Sequence, residues 1–122
     1  MQMERVSVDA EHALAEHALA ERLLSLIEMH IGTPLTVEET ASALFMSRAS
    51  LQRFCKRTFG IGTAHLWERL RLEHGASLLA LGKSVGECGQ ACGYSDPFQF
   101  SRAFKRVMGL PPKTFQQTQM KA

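Results

Sequence analysis

The chain has 122 residues, 45% hydrophobic and 21% charged, with a formal net charge of +2. That suits one domain of common size or two very small ones, and buries roughly 65% of the unfolded surface without staples. The composition excludes a mainly disordered chain. Apolar stretches such as Leu23-Leu24-Ser25-Leu26-Ile27 fall far short of the roughly 20 residues of a membrane span. Glu4, Arg5 and Asp9 stand where a signal peptide would be apolar, so a cytoplasmic location is expected.

Three cysteines, Cys55, Cys88 and Cys92, are too few and too odd for a disulfide framework and suit a reducing compartment. The charge is uneven. Residues 1–34 carry six acids and two bases, whereas residues 35–122 carry twelve bases and six acids. A basic body behind an acidic leader points to a polyanionic partner; the alternative is a chance imbalance on a solvated surface.

Residues 9–31 read as helix, with Leu14, Ala18, Leu23 or Leu24, Ile27 and Ile31 at helical spacing. Gly32 is the expected C-cap, and Pro34 follows as a breaker. The tandem Glu-His-Ala-Leu-Ala at 11–15 and 16–20 is rich in helix formers and reads as a leader or linker. Thr36 and Glu39 form a capping box for a short helix. Ser47 caps the next, whose inner side is expected to carry Leu51, Phe54, Cys55 and Thr58 and which ends at Gly60. Two short helices around a tight turn, the second one basic, form a helix-turn-helix pattern.

Residues 63–81 predict a longer helix with Leu66, Trp67, Leu70, Leu78 and Leu79 as apolar positions and Gly82 at its end. Ser84 to Cys92 is a further short helix, and Gly93-Tyr94 a turn. Asp96 is an N-cap, Pro97 fits the first helical position, and Gln99 is expected to complete a capping box. Phe100, Ala103, Phe104 and Val107 form the buried face of this last helix. Gly109 closes it and Pro111-Pro112 stop it. No strand signal appears.

The two halves repeat. Val37 matches Val85, Glu39 matches Glu87, Leu44 matches Cys92 and Ser47 matches Ser95. After one extra residue, Leu51 matches Phe100, Arg53 matches Arg102, Lys56 matches Lys105, Arg57 matches Arg106 and Gly60 matches Gly109. Such a repeat of a supersecondary unit favours DNA binding over a chance helical corner. Ala49, Gln52, Arg53 and Lys56 share one face of the first candidate recognition helix; Phe98, Gln99, Arg102 and Arg106 share the matching face of the second. Gln can pair with adenine and Arg with guanine, while Lys and Arg at the helix ends suit phosphates. The alternative is that Arg53 and Arg102 form structural ion pairs with Glu39 and Glu87.

Gly93-Tyr94-Ser95-Asp96, Phe100-Ser101-Arg102-Ala103-Phe104-Lys105-Arg106, and Gly109-Leu110-Pro111-Pro112 with Phe115 form a signature that resembles the DNA-binding domain of the AraC/XylS family of bacterial transcription regulators. Ser47, Leu51, Arg53 and Lys56 fit its first copy, and Arg71, Leu78 and Leu79 its linker helix. The resemblance runs from about 35 to 115, and residues 17–31 are similar to the preceding helix. It implies an all-α fold of about seven homeodomain-like helices, in which two helix-turn-helix subdomains are joined by a long linker helix. The boundaries are a leader or linker helix over 1–16, a first subdomain over 17–62, the linker helix over 63–82 and a second subdomain over 83–122. It further implies a sequence-specific regulator, usually an activator contacting RNA polymerase, that places both recognition helices in successive major-groove segments of double-stranded DNA. Such a protein is cytoplasmic and nucleoid-associated when bound. The implied DNA-contacting residues are Arg48, Ala49, Ser50, Gln52, Arg53 and Lys56 in the first copy, and Phe98, Gln99, Ser101, Arg102, Lys105 and Arg106 in the second.

The sequence departs from the family pattern in several places. Gly75 stands for a usual Ala, Cys55 for a usual Phe, and Cys88-Gly89 for an Ile-Ala pair, so looser packing under the recognition helices is expected. Pro97 and Phe98 stand where many members have polar residues facing DNA, which shifts the expectation for the second helix from base reading to phosphate contact. The family's sensory domain is not in the chain, which is either a short member or one domain of a longer protein with an N-terminal effector or dimerisation domain.

Other chemistry is weaker. Cys88 and Cys92, at i and i+4, with Cys55 could form a thiol or metal sensor, but free Cys is usually a small core hydrophobe. The five histidines have no metal-site spacing. No nucleotide loop, Ser elbow or catalytic acid pair is present. No cofactor, metal or enzymatic activity is expected. The competing class is a protein-interaction module that keeps the fold but has lost DNA reading.

Overall fold

The computed structural model describes the backbone of residues 2–121 and the side chains of residues 9–120. The side chains of the first half of the expected 1–16 leader lie outside the described residues. The elements are α1 (Gln2–Met29), α2 (Val37–Ala43), α3 (Arg48–Phe59), α4 (Thr63–Ala80), α5 (Val85–Ala91), α6 (Pro97–Met108) and α7 (Pro112–Lys121), with no strand among the described residues. None of these helices is long and apolar enough to cross a membrane.

The N-terminal helix differs from its sequence reading. It begins before residue 9, at Gln2, and ends at Met29, two residues early. Gly32 is not in the left-handed region; the chain leaves α1 through a turn closed by the Thr33 N–H on the His30 carbonyl at 3.2 Å. Leu14 is 69% exposed, so it is not a core position. The apolar contacts of α1 begin at Leu19 and continue through the fully buried Leu23 and Ile27.

The two helix-turn-helix copies match closely. α2 and α5 have seven residues each, and α3 and α6 twelve each. The extra residue of the second copy falls in its turn. Both turns close with the same bonds. The Met46 N–H meets the Ala41 carbonyl and the Tyr94 N–H meets the Gly89 carbonyl, each at 2.9 Å. This geometry needs one left-handed residue. Gly93 supplies it in the second copy (φ 85°), and Phe45 in the first (φ 58°), where a bulky side chain is strained. The caps fall as read at Thr36, Ser47 and Asp96, while Ser84, read as the first residue of a helix, is the N-cap of α5. In the capping box, the Thr36 N–H donates to the Glu39 carboxylate at 2.9 Å and holds it below the usual carboxylate range. Gln99 does not complete a box, since the Asp96 carboxylate accepts from the Phe98 N–H, at 2.9 Å, and the Gln99 N–H goes to the Asp96 carbonyl instead. Pro112 opens the seventh helix instead of only ending the sixth.

Two apolar clusters fill the molecule, and α4 belongs to both. Leu66 and Trp67 sit with Leu23, Ile27, Leu44, Leu51, Phe54 and Cys55. Leu72, Ala76 and Leu79 sit with Cys88, Cys92, Phe100, Ala103 and Phe104. Thr58, expected on the inner side of α3, faces solvent.

The glycines expected to loosen the second copy do the opposite. A β-carbon on Gly89 would lie 3.0 Å from Cβ and Cγ of Phe100, and one on Gly75 would lie 3.0 Å from its ring and from the Cys92 sulfur. Phe100 fills the space that the two glycines leave. Its ring is also held by Tyr94 and Phe104, each with its centroid 5.6 Å away. Overpacking here outweighs the gain in helix propensity. Gly89→Ala is therefore expected to destabilise the protein by about 1–2 kcal/mol in urea unfolding; a stabilised variant would show that Phe100 can yield.

The three thiols are fully buried. Burial pushes all three up, Cys92 to about 11, and the Thr63 hydroxyl donates to the Cys55 sulfur at 3.4 Å. Little thiolate exists at neutral pH under these conditions. All three should resist a thiol-specific disulfide reagent at pH 8 in the native protein and react on unfolding. A thiol that reacts natively at the rate of free cysteine would contradict this burial.

Candidate nucleic-acid interface

The interface is built from α3 and α6, and the segment that leads into each is held to α4 by a polar contact. The Trp67 indole donates to the buried Thr40 hydroxyl at 3.1 Å, and that hydroxyl donates to the Thr36 carbonyl at 2.7 Å, which fixes α2. One turn later along α4, Arg71 Nε donates to the Cys92 carbonyl at 2.7 Å, and its guanidinium lies 4.2 Å from the Tyr94 ring centroid. Arg71 thereby seats the α5–α6 turn. The copies also touch directly: a β-carbon on Gly93 would lie 2.8 Å from Cδ of Pro34.

On α3, Arg48, Ala49, Gln52, Arg53 and Lys56 are exposed and Ser50 is half-buried. The Ser47 hydroxyl donates to the Ser50 hydroxyl at 2.9 Å, and Arg53 reaches that same oxygen at 3.4 Å. Arg48 is paired with Glu38 of α2. On α6, Phe98, Gln99, Arg102, Lys105 and Arg106 are exposed and Ser101 is half-buried. Arg106 pairs with Glu68 of α4 at 2.6 Å. Its repeat partner Arg57, which sequence reasoning left out of the site, pairs in the same way with Glu16 of α1 at 2.8 Å. These pairs are largely exposed and so contribute little to stability.

Gln52 has a contact that its place on the α3 face did not foretell. Its side-chain oxygen accepts from the Thr63 N–H at 3.0 Å. The N-terminus of α4 has no cap from its own N-cap residue, Gly62. A β-carbon on Gly62 would lie 2.5 Å from the Gln52 amide nitrogen, so the glycine admits that amide. The signal in the sequence was Gly62, standing at the start of a helix where a capping Ser or Asp is usual.

The alternative that Arg53 and Arg102 are structural ion-pair partners fails. Glu39 is bound to the Thr36 N–H, and Glu87 accepts from the Ser84 hydroxyl at 2.9 Å. Among the described residues, Arg53, Lys56, Arg102 and Lys105 have no carboxylate partner. Two exposed cations thus stand at the same register on each of two matched helices.

Comparison with known proteins agrees with this geometry. A helix-turn-helix domain family model matches residues 40–118. The chain is 31% identical over 91 residues to the probable transcriptional regulator LumQ of Photobacterium leiognathi, covering 74% of this chain and 37% of that protein. The chain thus spans well under half the length of that relative. A transcriptional regulator of the AraC-type DNA-binding group from Chromobacterium violaceum superimposes with a TM-score of 0.80 at 26% identity, over 87% of this chain and 96% of that one. The DNA-binding domain of AdpA, a global transcriptional factor in complex with a target DNA, superimposes with a TM-score of 0.74 at 25% identity, over 82% and 90%. The chain belongs to the AraC family of helix-turn-helix, DNA-binding transcription regulators, a family that is not enzymatic.

Proposed function

We propose that the protein reads an asymmetric double-stranded DNA site with both recognition helices, α3 and α6, set in successive major-groove segments about one helical turn, roughly 34 Å, apart. The observation that carries this reading is the register match of Arg53 and Lys56 with Arg102 and Lys105, all exposed and without carboxylate partners among the described residues. Unpaired exposed cations on a helix face are placed at no desolvation cost and gain counterion release on meeting phosphates. Arg53 and Arg102 project from the middle of their helices, where guanine edges can be met bidentately. Lys56 and Lys105, one turn further on, hold phosphates. Arg48, Arg57 and Arg106 exchange weak carboxylate partners for phosphates on binding. Gln52 acts as a cap of α4 and not as a base reader. Ser50 steadies Arg53. Gln99 and Ser101 line the second groove segment.

Regulation follows from site-specific binding, and activation through RNA polymerase is the mode we propose. An effector or dimerisation domain on the N-terminal side of the α1 helix would complete a protein of the relatives' length, working in the cytoplasm on nucleoid DNA. The buried thiols of the second cluster speak against a thiol or metal sensor.

Two variants separate reading from positioning. Arg53→Ala should cost about 1–3 kcal/mol on the preferred duplex and relax base choice at one position. Lys105→Ala should weaken all sequences alike and lower the log–log salt slope by about 0.9. Unchanged affinity and preference in Arg53→Ala, measured by titration of labelled duplexes, would remove that residue from the reading face.

A further inference from the structure

We infer that Phe98 is a specificity-determining residue that reads the 5-methyl group of a pyrimidine in the second groove segment. This rests on the proposal that α6 enters the major groove. The ring is 71% exposed at the second position of α6. It takes no part in the aromatic chain of Tyr94, Phe100, Phe104 and Phe115 that forms the core beneath the helix. The backbone holding it is fixed. Pro97 sets the first helical turn, and the Phe98 N–H is bound at 2.9 Å by the Asp96 carboxylate, which is the cap of the helix. A large apolar side chain left exposed on a rigid, basic helix gains burial only when something covers that helix.

The repeat supplies an independent observation. Ala49 occupies the same second position of α3 and is also exposed. Both helices therefore carry an exposed apolar side chain at their second position, where a polar one would cost nothing. The only apolar group that B-DNA presents in the major groove is the thymine methyl, and Ala and Phe are among the side chains that contact it. At the N-terminal end of a recognition helix, side chains lie close to base edges. Phe98 reaches furthest, so the methyl preference is assigned to it; the short Ala49 leaves space in the first segment. Because 5-methylcytosine carries its methyl at the same ring carbon, the same side chain would favour methylated over unmethylated cytosine at that position.

The test uses the full chain and a duplex carrying its selected site. Each thymine of the second block is replaced in turn by deoxyuridine, which removes the methyl alone. The wild-type protein should bind about fourfold more weakly at one thymine, the size expected for one lost methyl-sized contact. Phe98→Ala should bind the thymine and uracil duplexes equally there, with unchanged thermal stability since the ring is exposed. Placing 5-methylcytosine against cytosine at that position should reproduce the preference in the wild type alone. Tight, sequence-specific binding that is indifferent to every methyl overturns this inference and leaves the two-helix reading intact. So does discrimination that persists in Phe98→Ala. Absence of sequence-specific binding by the wild type overturns both.

Discussion

The structure depends on one helix being a wall of two cores. α4 presents Leu66 and Trp67 to the first cluster and Leu72, Ala76 and Leu79 to the second. Trp67 and Leu72 differ by about 140° around the helix axis, so the clusters meet it on different sides. A helix with apolar groups on two sides cannot act as a flexible tether, because moving either copy exposes buried surface at about 25 cal/mol per Å². The polar clamps follow the same division. Trp67 holds α2 through Thr40, and Arg71 holds the second turn through the Cys92 carbonyl and the Tyr94 ring. The spacing of α3 and α6 is thereby fixed before any ligand arrives, which, on the proposed two-helix reading, lowers the ordering cost of binding both at once.

Within that frame the copies are built by the same rules from different residues. Each has a seven-residue helix, a turn with one left-handed residue and a twelve-residue basic helix. The second copy uses Gly93 at the left-handed position, and the lack of a side chain there lets Pro34 approach from the loop after α1. The first uses Phe45, which is 91% exposed and strained. The cores differ as well. The second copy opens room at Gly75 and Gly89 and fills it with Phe100, whereas the first places Leu51 at the matching position. Matching backbone with exchanged side chains is what keeps Arg53 and Arg102 in register.

Local chemistry made much of this legible in the sequence. Thr36, Ser47, Ser84 and Asp96 are caps because their side chains reach nearby N–H groups, and Gly60 and Gly109 end α3 and α6. These are short-range effects. What escaped the sequence depends on distant neighbours. The helical pattern of α1 continues into Leu14, but only packing against α3 and α4 decides that burial starts at Leu19. Gly75 and Gly89 read as vacancies because their occupant, Phe100, is far along the chain. Gln52 lies on the exposed face of α3, and its side-chain oxygen caps the otherwise uncapped start of α4. Gln116 was invisible for the same reason: its amide donates to the Leu79 carbonyl at the far end of α4 and to the Lys83 carbonyl in the loop beyond it.

The central claim is that a rigid α4 makes one chain a two-headed reader of DNA. Selection of bound duplexes from a random pool, at two salt concentrations, tests it most directly. The account predicts an asymmetric motif of two blocks whose centres lie about 10–10.5 base pairs apart, with no variation in their spacing. Enrichment of a single block, or of two blocks at variable spacing, would contradict it.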